Sequence, residues 1–559
     1  MNYFGDTCSG AGRIDLENPS VIGFFQESFA KYWDVDAFTD YNGETLKYGD
    51  VAKLVDRFHF MFRAMGLEPQ DKVAICGRNC SMWAVSFLAV FTYGAVPVPI
   101  LNDFQPDYIH NIVEHSDAKL LFVGKALFTK LNADLMPHLE GIVSIEDAHI
   151  LVSRNQGLSS FAYNGSNNVR PDTLAYFVEK DAHELAILNY TSGTTSAPKG
   201  VMIPYRAIRS ILIYSHNTVP MKPGSSTVNI LPLAHMFGLM FELLYEIILG
   251  CHIHFLSRVP SPNIIFKSFA EFKPTLIITV PLVLEKIICK MIFPQLEKRS
   301  MRIALKTPII SRCIKIRIKN RLVNAFGGNM LEVIVGGAAL NPEVEDFLHD
   351  IRFPYLVGYG MTECAPLIAY SHWYEFVKGS CSRAITGVQV RIEPFDSGEV
   401  GEILVKGDNV MLGYYKNPQA TASVLDADGW LHTGDVGYID KDGNIFIRGR
   451  IKNLILGPSG QNIYPEEIEN KFNMQPYVQE SVVIREKDGK LVALVYPAAD
   501  ALKEAQIDLL SVPAIMEQNR KNVNAQISSY EQIAAVRIVD KEFEKTPKKS
   551  IKRFLYQPK

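Results

Sequence analysis

The segment Leu188-Asn189-Tyr190-Thr191-Ser192-Gly193-Thr194-Thr195-Ser196-Ala197-Pro198-Lys199-Gly200-Val201-Met202 is the most informative stretch of the chain. An apolar run over residues 185–190 predicts a strand, and a loop of hydroxyl groups and glycines follows it. Such a loop offers inward backbone N–H groups, little side-chain bulk, hydroxyl donors and one cation. It therefore predicts a grip for a polyphosphate, formed by Thr191, Ser192, Gly193, Thr194, Thr195 and Lys199.

The loop differs from a Walker A loop, which has the pattern G-x-x-x-x-G-K-[ST]. Pro198, not glycine, precedes Lys199, and Gly200 follows the lysine. The alternative interpretation is a solvated turn rich in Ser, Thr and Gly. The strand-like run and the lysine favour a phosphate loop of another type.

Length and composition limit the number of domains, the class of protein and its possible partners. A chain of 559 residues exceeds the size of one growing core, so at least two domains are expected. Its 47% hydrophobic and 21% charged residues are typical of a soluble globular protein. A net charge of -3 argues against nucleic acid as a partner. The eight cysteines form no C-x-x-C pair and no signal peptide is visible, so we expect a cytoplasmic protein.

One uncharged run, residues 80–101, is long enough to span a bilayer. Gly94, Pro97 and Pro99 interrupt it, which predicts a helix over residues 82–93 and a strand over residues 95–100. The run is therefore expected to be buried core rather than a membrane span.

The order of predicted elements indicates an α/β fold. The pair Asn42-Gly43 predicts a hairpin turn between residues 37–39 and 45–47. Helical periodicity over residues 48–65 is followed by strands near 72–76, 95–100, 120–123 and 185–190, which predicts a mostly parallel sheet flanked by helices. From about residue 385, short alternating strands predict a small, largely antiparallel subdomain. We place the boundary between a large N-terminal domain, 1–449, and a small mobile α+β domain, 450–559, near a hinge at Lys452.

A basic segment spans residues 298–321, which contain nine Lys and Arg residues and no acid. A solvated helix face is the ordinary interpretation. Because isoleucines are interleaved with the basic residues, a second interpretation stays open: the segment contacts the anionic surface at the inner face of a membrane.

Six further motifs follow the opening loop in a fixed order. They are residues 231–238 (LPLAHMFG), 336–340 (GGAAL), 358–363 (GYGMTE), 429–435 (GWLHTGD), 449–453 (GRIKN) and 460–469 (GQNIYPEEIE). Together they resemble the adenylate-forming superfamily of acyl-CoA synthetases, peptide-synthetase adenylation domains and luciferases, over residues 48–554. The overall pattern is similar to the long-chain fatty acyl-CoA synthetase branch.

The resemblance implies a ligase that uses ATP, Mg²⁺ and coenzyme A. A fatty acid carboxylate attacks the α-phosphate of ATP, giving acyl-AMP and pyrophosphate, and the CoA thiol then displaces AMP. It also implies that Thr191, Ser192, Gly193, Thr194, Thr195 and Lys199 hold the β- and γ-phosphates. Glu363 and Thr194 match the Mg²⁺ site, since a hard cation prefers oxygen ligands.

The resemblance also implies roles for the remaining candidate residues. Asp435 matches the acceptor of the ribose hydroxyls, and Arg450 matches a second ribose or phosphate contact. Lys452 falls on the family's hinge, and His235 matches a possible gate to the acyl tunnel, with a packing role as its alternative. The walls of the adenine slot match Gly337, Ala338, Ala339, Tyr359, Gly360, Met361 and Thr362.

Two positions depart from the family pattern. Ser196 stands where glycine is usual, so we expect weakened phosphate binding. Ser550 stands where the family has the lysine that reaches the α-phosphate, and a hydroxyl cannot neutralise that charge. The neighbours Lys548, Lys549 and Lys552 are candidates to replace it, and Lys549 is our choice for the catalytic set.

Three functions remain open. The first is a long-chain fatty acid–CoA ligase. The second is an acyl-AMP ligase that loads a carrier protein. The third is a nucleotide- or acyl-binding protein whose catalysis is weakened, which Ser550 motivates.

Overall fold

The computed structural model describes residues 16–161, 169–174, 176–179, 181–191, 198–256, 262–296, 298–395, 398–456, 462–545 and 551–557. These residues form two compact units. The first comprises the described parts of Met1–Thr191, Pro198–Gln389 and Lys406–Gly429. The second comprises those of Val390–Val405 and Trp430–Lys559. The predicted boundary at 449/450 stays a prediction.

The first unit contains a five-stranded sheet that is parallel except for its last strand. In spatial order its strands are Val96–Leu101, Lys72–Gly77, Ala118–Val123, Gly141–Ser144 and Ile150–Ser153. The uncharged run is buried here, as helix Ser81–Thr92 and strand Val96–Leu101, which confirms its prediction as core. No helix within the described ranges is both long enough and apolar enough to cross a membrane.

Two further sheets of the first unit are built on parallel pairs. The four-stranded one has the order Ser226–Asn229, His252–Phe255, Asp36–Asp40 and Thr45–Lys47, and its last pair is the predicted hairpin at Asn42 and Gly43. The three-stranded one has the order Leu276–Thr279, Glu332–Val335 and Tyr355–Val357. Functional candidates lie just after several of these strands.

Helices accompany the three sheets in the first unit. Helix Tyr48–Met65 matches its prediction, and Gly66 ends it in the left-handed region at φ 74°. The others are Val21–Lys31, Ser81–Thr92, Pro106–His115, Lys125–Phe128, Gln156–Ser159, Tyr205–Thr218, Met236–Leu239, Tyr245–Leu249, Pro262–Phe272, Pro281–Met291, Phe293–Leu296, Arg299–Leu305, Pro308–Ala325, Pro342–Asp350 and Pro418–Ala422. A π-helical turn, Met240–Leu244, joins two of them.

One prediction about the sheets is wrong. The strand Leu185–Thr191 belongs to an antiparallel sheet of three strands, with Lys199–Pro204 in the centre and Gly413–Tyr414 beyond it. The alternation of helices and strands had placed it with the parallel strands. The short loop after Thr191 allows the chain to reverse directly, and a direct reversal produces an antiparallel pair.

The second unit contains the predicted antiparallel sheet, with strands Val388–Pro394, Gly401–Gly407, Leu431–Ile439 and Ile445–Arg450. A three-stranded sheet of Val478–Arg485, Leu491–Pro497 and Ile533–Ile538 follows it. Helices Pro465–Asn473, Ala499–Glu504 and Val512–Asn524 accompany this sheet. Its core includes Phe472, Val495, Met516 and Ile533. These features confirm the α/β class with a large N-terminal and a separate C-terminal domain.

Candidate functional site

The predicted phosphate loop connects the two strands of an antiparallel hairpin. Thr191 and Lys199 are partners in the register of strands Leu185–Thr191 and Lys199–Pro204. The ladder thus fixes the two ends of the loop opposite one another. The predictions for the loop concern residues that lie outside the described ranges, namely Ser192, Gly193, Thr194, Thr195 and Ser196.

Lys199 and Glu363 are brought together by a tyrosine. The Lys199 ammonium lies 4.7 Å from the centre of the Tyr414 ring. The Tyr414 hydroxyl donates a hydrogen bond of 2.9 Å to Oε1 of Glu363. Burial and the Glu363 carboxylate raise the pKa of Tyr414, so the phenol keeps its proton and stays a donor. One aromatic side chain therefore orients both predicted catalytic groups.

Sequence reasoning did not single out Tyr414. It lies in Gly413–Tyr414, the strand that pairs with Val201 and Met202 beside Lys199. The available signal was the run Gly413-Tyr414-Tyr415, an apolar aromatic strand just before a helix that begins at Pro418. The proximity of Tyr414 to Lys199 arises from strand pairing in the sheet, so the local sequence does not show it.

Glu363 lies in a short 3-10 helix, Thr362–Cys364. Its backbone oxygen accepts a hydrogen bond of 2.9 Å from Met411 N, in the segment that leads to Tyr414. Backbone and side chain of Glu363 are thus both tied to the same neighbouring segment. Its role as a Mg²⁺ ligand stays a prediction, and its predicted partner Thr194 is outside the described residues.

The candidates for the adenine slot come together at the carboxyl ends of two adjacent parallel strands. Val335 and Val357 are register partners, and Gly358 N donates to Val335 O at 2.9 Å. The exposed residues 337–339 follow the first strand, and residues 359–362 follow the second. Carboxyl ends of parallel strands are where open α/β sheets bind ligands.

Two glycines in these segments have physical reasons to be glycine. Gly337 has φ 87°, in the region that side chains disfavour. At Gly360, an added Cβ would lie 1.8 Å from the backbone oxygen of Pro366. Tyr359 is buried and pairs with Ala369, so the structure supports its packing as directly as it does a stacking role. Met361 and Thr362 complete the strand-to-helix turn that carries Glu363.

His235 lies next to the predicted adenine segment. It precedes helix Met236–Leu239, and its backbone oxygen accepts from Leu239 N at 2.8 Å. Two residues after His235, the Phe237 ring is so close to Gly336 that a Cβ added at Gly336 would lie 2.9 Å from the ring. The half-buried His235 side chain therefore belongs to the same neighbourhood, and its gating role stays a prediction.

In the second unit, Asp435 and Arg450 form a direct ion pair. They are register partners in the antiparallel sheet, and Arg450 Nε lies 2.9 Å from Asp435 Oδ1. The Asp435 side chain is 6% exposed and that of Arg450 is 49% exposed. A buried carboxylate at this position is fixed in orientation, which suits an acceptor of hydroxyl groups.

The turn that carries Asp435 is held by a residue that sequence reasoning missed. Glu402 accepts hydrogen bonds from Gly434 N and His432 Nδ1, both at 2.9 Å. Gly434 has φ 71°, and Thr433 Oγ1 accepts from Asp435 N at 3.1 Å. The Glu402–His432 pairing across the sheet could not be seen locally, because the two residues lie on different strands.

Lys452 lies in a short 3-10 helix, Ile451–Asn453, directly after the strand that ends at Arg450. Partial desolvation lowers the pKa of Lys452, and the Arg450 guanidinium adds to this. Its neighbour Asn453 donates to Glu466 Oε1 at 2.5 Å. The hinge role of Lys452 stays a prediction.

Lys548, Lys549 and Ser550 lie outside the described residues. The residues on either side, Lys545 and Ile551, form an antiparallel bridge. Beyond it, Lys552 Nζ lies 3.4 Å from Glu544 Oε2. Arg553 forms an ion pair with Glu469, which is fully buried in helix Pro465–Asn473. These contacts belong to the described residues on either side, and the identity of the replacing lysine stays a prediction.

Comparison with known proteins identifies two family models along the chain. The model described as AMP-binding enzyme matches residues 25–415. The model described as AMP-binding enzyme C-terminal domain matches residues 452–557.

Individual relatives are distant and carry different names. A long-chain-fatty-acid–CoA ligase of Drosophila melanogaster, heimdall, is 26% identical over 551 residues, which cover 88% of this chain and 80% of the relative. A 4-coumarate–CoA ligase of Oryza sativa subsp. japonica is 25% identical over 560 residues, 94% of this chain and 90% of the relative. Among solved structures, ATP-bound MatB from Rhodopseudomonas palustris superposes with a TM-score of 0.75 at 23% identity, covering 96% and 98% of the two chains.

Proposed function

We propose a reaction and a substrate for this chain, which belongs to the AMP-binding enzyme family and, as its motifs predict, to the adenylate-forming superfamily with its fatty acyl-CoA synthetase branch. Together with relatives named as CoA ligases, this membership supports an AMP-forming acid–CoA ligase. The proposed acid is a long-chain fatty acid, activated as acyl-AMP and transferred to CoA with release of AMP and pyrophosphate.

The arrangement of Lys199, Tyr414 and Glu363 is the observation that carries the proposal. A carboxylate that attacks a phosphate brings two anions together, so positioning and charge neutralisation supply most of the catalysis. The Lys199 ammonium lies over a neutral ring, 4.7 Å from its centre, and Lys199 is the register partner of Thr191 at the end of the phosphate-loop hairpin. A cation at this end of the hairpin can donate hydrogen bonds to phosphate oxygens.

The residues present suit ATP and Mg²⁺. Glu363 supplies a carboxylate, the ligand type that Mg²⁺ prefers, and Thr194 is its proposed partner. In the nucleotide, Asp435 is proposed to accept the ribose hydroxyls and Arg450 to contact ribose or phosphate. The exposed small residues Gly337 to Ala339 are proposed to admit the adenine ring. Bound Mg²⁺ would neutralise charge that develops on the phosphates.

The long-chain fatty acid is supported by relatives such as heimdall, whose name states that substrate. The rice relative is named for 4-coumarate, a different class of acid. His235 is the proposed gate to the acyl site, and the domain 450–559 is proposed to turn about Lys452 between the half-reactions. An acid panel of palmitate, octanoate and 4-coumarate separates the substrate classes by kcat/KM.

Carboxylate-dependent exchange of labelled pyrophosphate into ATP tests the first half-reaction. We expect exchange above background that increases sharply in Ser550→Lys, because the family lysine is then restored. Purified acyl-AMP offered with CoA or with a carrier protein tests the acceptor, and faster transfer to the carrier would replace the proposal with a carrier-loading ligase. Absence of exchange in wild type together with retained ATP binding would favour the weakened binding protein.

The basic segment supports a second proposal, peripheral contact with an anionic membrane at the cytoplasmic face. It forms helices Arg299–Leu305 and Pro308–Ala325. Ile303, Ile309 and Ile316 are 61%, 78% and 50% exposed. Lys315 is paired with Asp350 at 2.7 Å, whereas the exposed Arg312 and Arg317 add to the positive surface. Exposed isoleucines among cations match the composition of an interfacial helix.

Co-sedimentation with vesicles that contain phosphatidylserine tests the membrane contact. We expect binding at low salt that the double variant Ile303→Ser, Ile309→Ser weakens at least about tenfold, since each isoleucine loses its burial in lipid. Leu510→Ser is the matched control, because Leu510 is 86% exposed in the other unit. Failure of the wild type to bind at low salt would remove this proposal and leave the ligase reaction unaffected.

A further inference from the structure

Two buried glutamates lie one helical turn apart just after His235. Glu242 is in the π-helical turn Met240–Leu244, and Glu246 is in the helix Tyr245–Leu249 that continues it. Their residues are 2% and 1% exposed. Buried carboxylates are costly unless hydrogen bonds compensate their desolvation, so each must be explained by its partners.

The Glu242 carboxylate holds the backbone that leads to His235. Its Oε2 accepts from Leu231 N and from Asn229 Nδ2, both at 2.8 Å. Ile230 N lies 3.2 Å from both carboxylate oxygens. Burial raises the pKa of Glu242, while these three donors oppose the shift. One side chain therefore satisfies two successive backbone N–H groups and an amide.

Asn79 extends the same network from the end of another sheet. It follows strand Lys72–Gly77, and its Nδ2 donates to Asn229 Oδ1 and to Leu231 O, both at 2.6 Å. Its Oδ1 accepts from Leu233 N at 3.0 Å. The backbone between Asn229 and Leu233 is thus fixed by side chains, in a stretch that follows a strand and belongs to no ladder.

The last contact of this segment leads to the phosphate loop. Asn189 Nδ2 donates to Ala234 O at 3.0 Å, and Asn189 lies two residues before Thr191 in the loop's first strand. His235 follows Ala234 directly. The network from Glu242 to Asn189 therefore sets where His235 stands relative to the phosphate-loop hairpin within the first unit.

Glu246 is as buried as Glu242 but holds a different partner, and its charge adds to the rise in the pKa of Glu242. Its Oε2 accepts from Thr227 Oγ1 at 2.8 Å, and Thr227 lies within strand Ser226–Asn229, before the segment begins. Burial raises the pKa of Glu246 to about 8. The two carboxylates have the same burial and belong to consecutive turns, so Glu246 provides an internal control for Glu242.

We propose that Glu242 is a positioning residue for acid binding: through Ile230, Leu231 and Asn79 it fixes the segment that presents His235 to the carboxylate substrate. The inference rests on the proposed ligase function. The side chain touches no reacting atom in this scheme. Its loss lets the His235 segment shift, which affects the site of the acid before it affects the site of ATP.

The test compares Glu242→Gln with Glu246→Gln in the full chain. Glutamine keeps the shape of Glu242 but offers one neutral acceptor oxygen in place of two charged ones. Even with that oxygen at the Oε2 position, an NH₂ group faces Ile230 N and the remaining hydrogen bonds are no longer charge-assisted. We expect KM for palmitate in pyrophosphate exchange to rise at least about fivefold in Glu242→Gln, with KM for ATP within twofold of wild type. Asn79→Ala is expected to raise KM for palmitate by a smaller factor, again with KM for ATP within twofold of wild type. Glu246→Gln is expected to leave both KM values unchanged.

Hydrogen–deuterium exchange supplies a readout that needs no activity. Peptides covering residues 229–235 should exchange faster in Glu242→Gln than in wild type. In Glu246→Gln their exchange rate should equal that of wild type. An unchanged palmitate KM in Glu242→Gln, or an equal rise in Glu246→Gln, overturns the inference. If Glu242→Gln does not fold, Asn79→Ala decides by the same criteria. A wild type without exchange activity contradicts the proposed reaction, and unaltered deuterium uptake in Glu242→Gln then overturns the positioning role independently.

Discussion

An acid and a cation meet in each of the two compact units, and the two arrangements differ in what separates the charges. In the first unit the Tyr414 ring stands between Lys199 and Glu363, in contact with both. In the second, Arg450 Nε contacts Asp435 directly at 2.9 Å. A direct pair neutralises its own charges, whereas a ring between them attracts the ammonium without neutralising it.

The difference matches the tasks proposed for the two regions. A lysine that must donate to phosphate oxygens keeps its charge available over an aromatic face. A carboxylate that must accept ribose hydroxyls needs a fixed orientation more than an isolated charge, and the half-exposed Arg450 provides that orientation. Because Arg450 is 49% exposed, solvent screening keeps the pair's contribution to folding small.

The largest effect is expected from Lys199→Ala. Removing one preorganised charge at the phosphates should lower the rate of pyrophosphate exchange about 10²- to 10³-fold. Lys72→Ala is the matched control, because Lys72 Nζ lies 5.8 Å from the ring of the adjacent Tyr415. Equal losses in both variants would mean that the lysine–tyrosine contact matters for packing and not for phosphate.

Asp435→Asn tests the direct pair. We expect KM for ATP to rise about 10- to 100-fold, since charge-assisted hydrogen bonds to ribose become neutral ones. Glu517→Gln is the control, as Glu517 pairs with Arg520 at 2.6 Å elsewhere in the second unit. An unchanged KM for ATP would leave Asp435 with only its structural contact to Arg450.

Tyr414→Phe isolates the intermediate residue. The ring stays under Lys199 while the hydrogen bond to Glu363 is lost, so the Mg²⁺ concentration for half-maximal rate should rise about 3- to 10-fold. Tyr415→Phe removes a comparable bond of 2.8 Å to Asp117 and should leave the Mg²⁺ requirement unchanged. A shift of the same size in both variants would disconnect Tyr414 from the metal.

The smallest effect is expected from Glu246, a buried acid that accepts a hydrogen bond from the Thr227 hydroxyl. Glu246 has a pKa raised to about 8 by burial, so the folded state binds its proton more tightly than the unfolded state. The resulting stability is present below the unfolded value near 4.5 and is lost as pH rises to about 8. Between these two pH values the melting temperature of Glu246→Gln should therefore fall by roughly 2–4 °C less than that of wild type. Parallel pH profiles would exclude Glu246 as the source.

Local sequence predicted the elements that depend on neighbouring residues. The periodic Val51, Val55, Phe58 and Phe62 predicted helix Tyr48–Met65, since their spacing places them on one buried face. Asn42 predicted the first hairpin because its side chain tolerates φ 61°. The strand before Thr191 was also predicted, but its antiparallel partner was not, because pairing depends on the chain beyond the loop.

By itself, the sequence determined the family, the α/β class and the identity of most candidate residues, since motif order and spacing are properties of the chain. Only the tertiary structure decided that Tyr414 lies between Lys199 and Glu363, that Glu402 holds the turn of Asp435, and that Glu242 rather than Glu246 holds the segment of His235. These contacts join residues far apart in the chain. They arise from strand register and from the need of buried polar groups for partners, which no local pattern records.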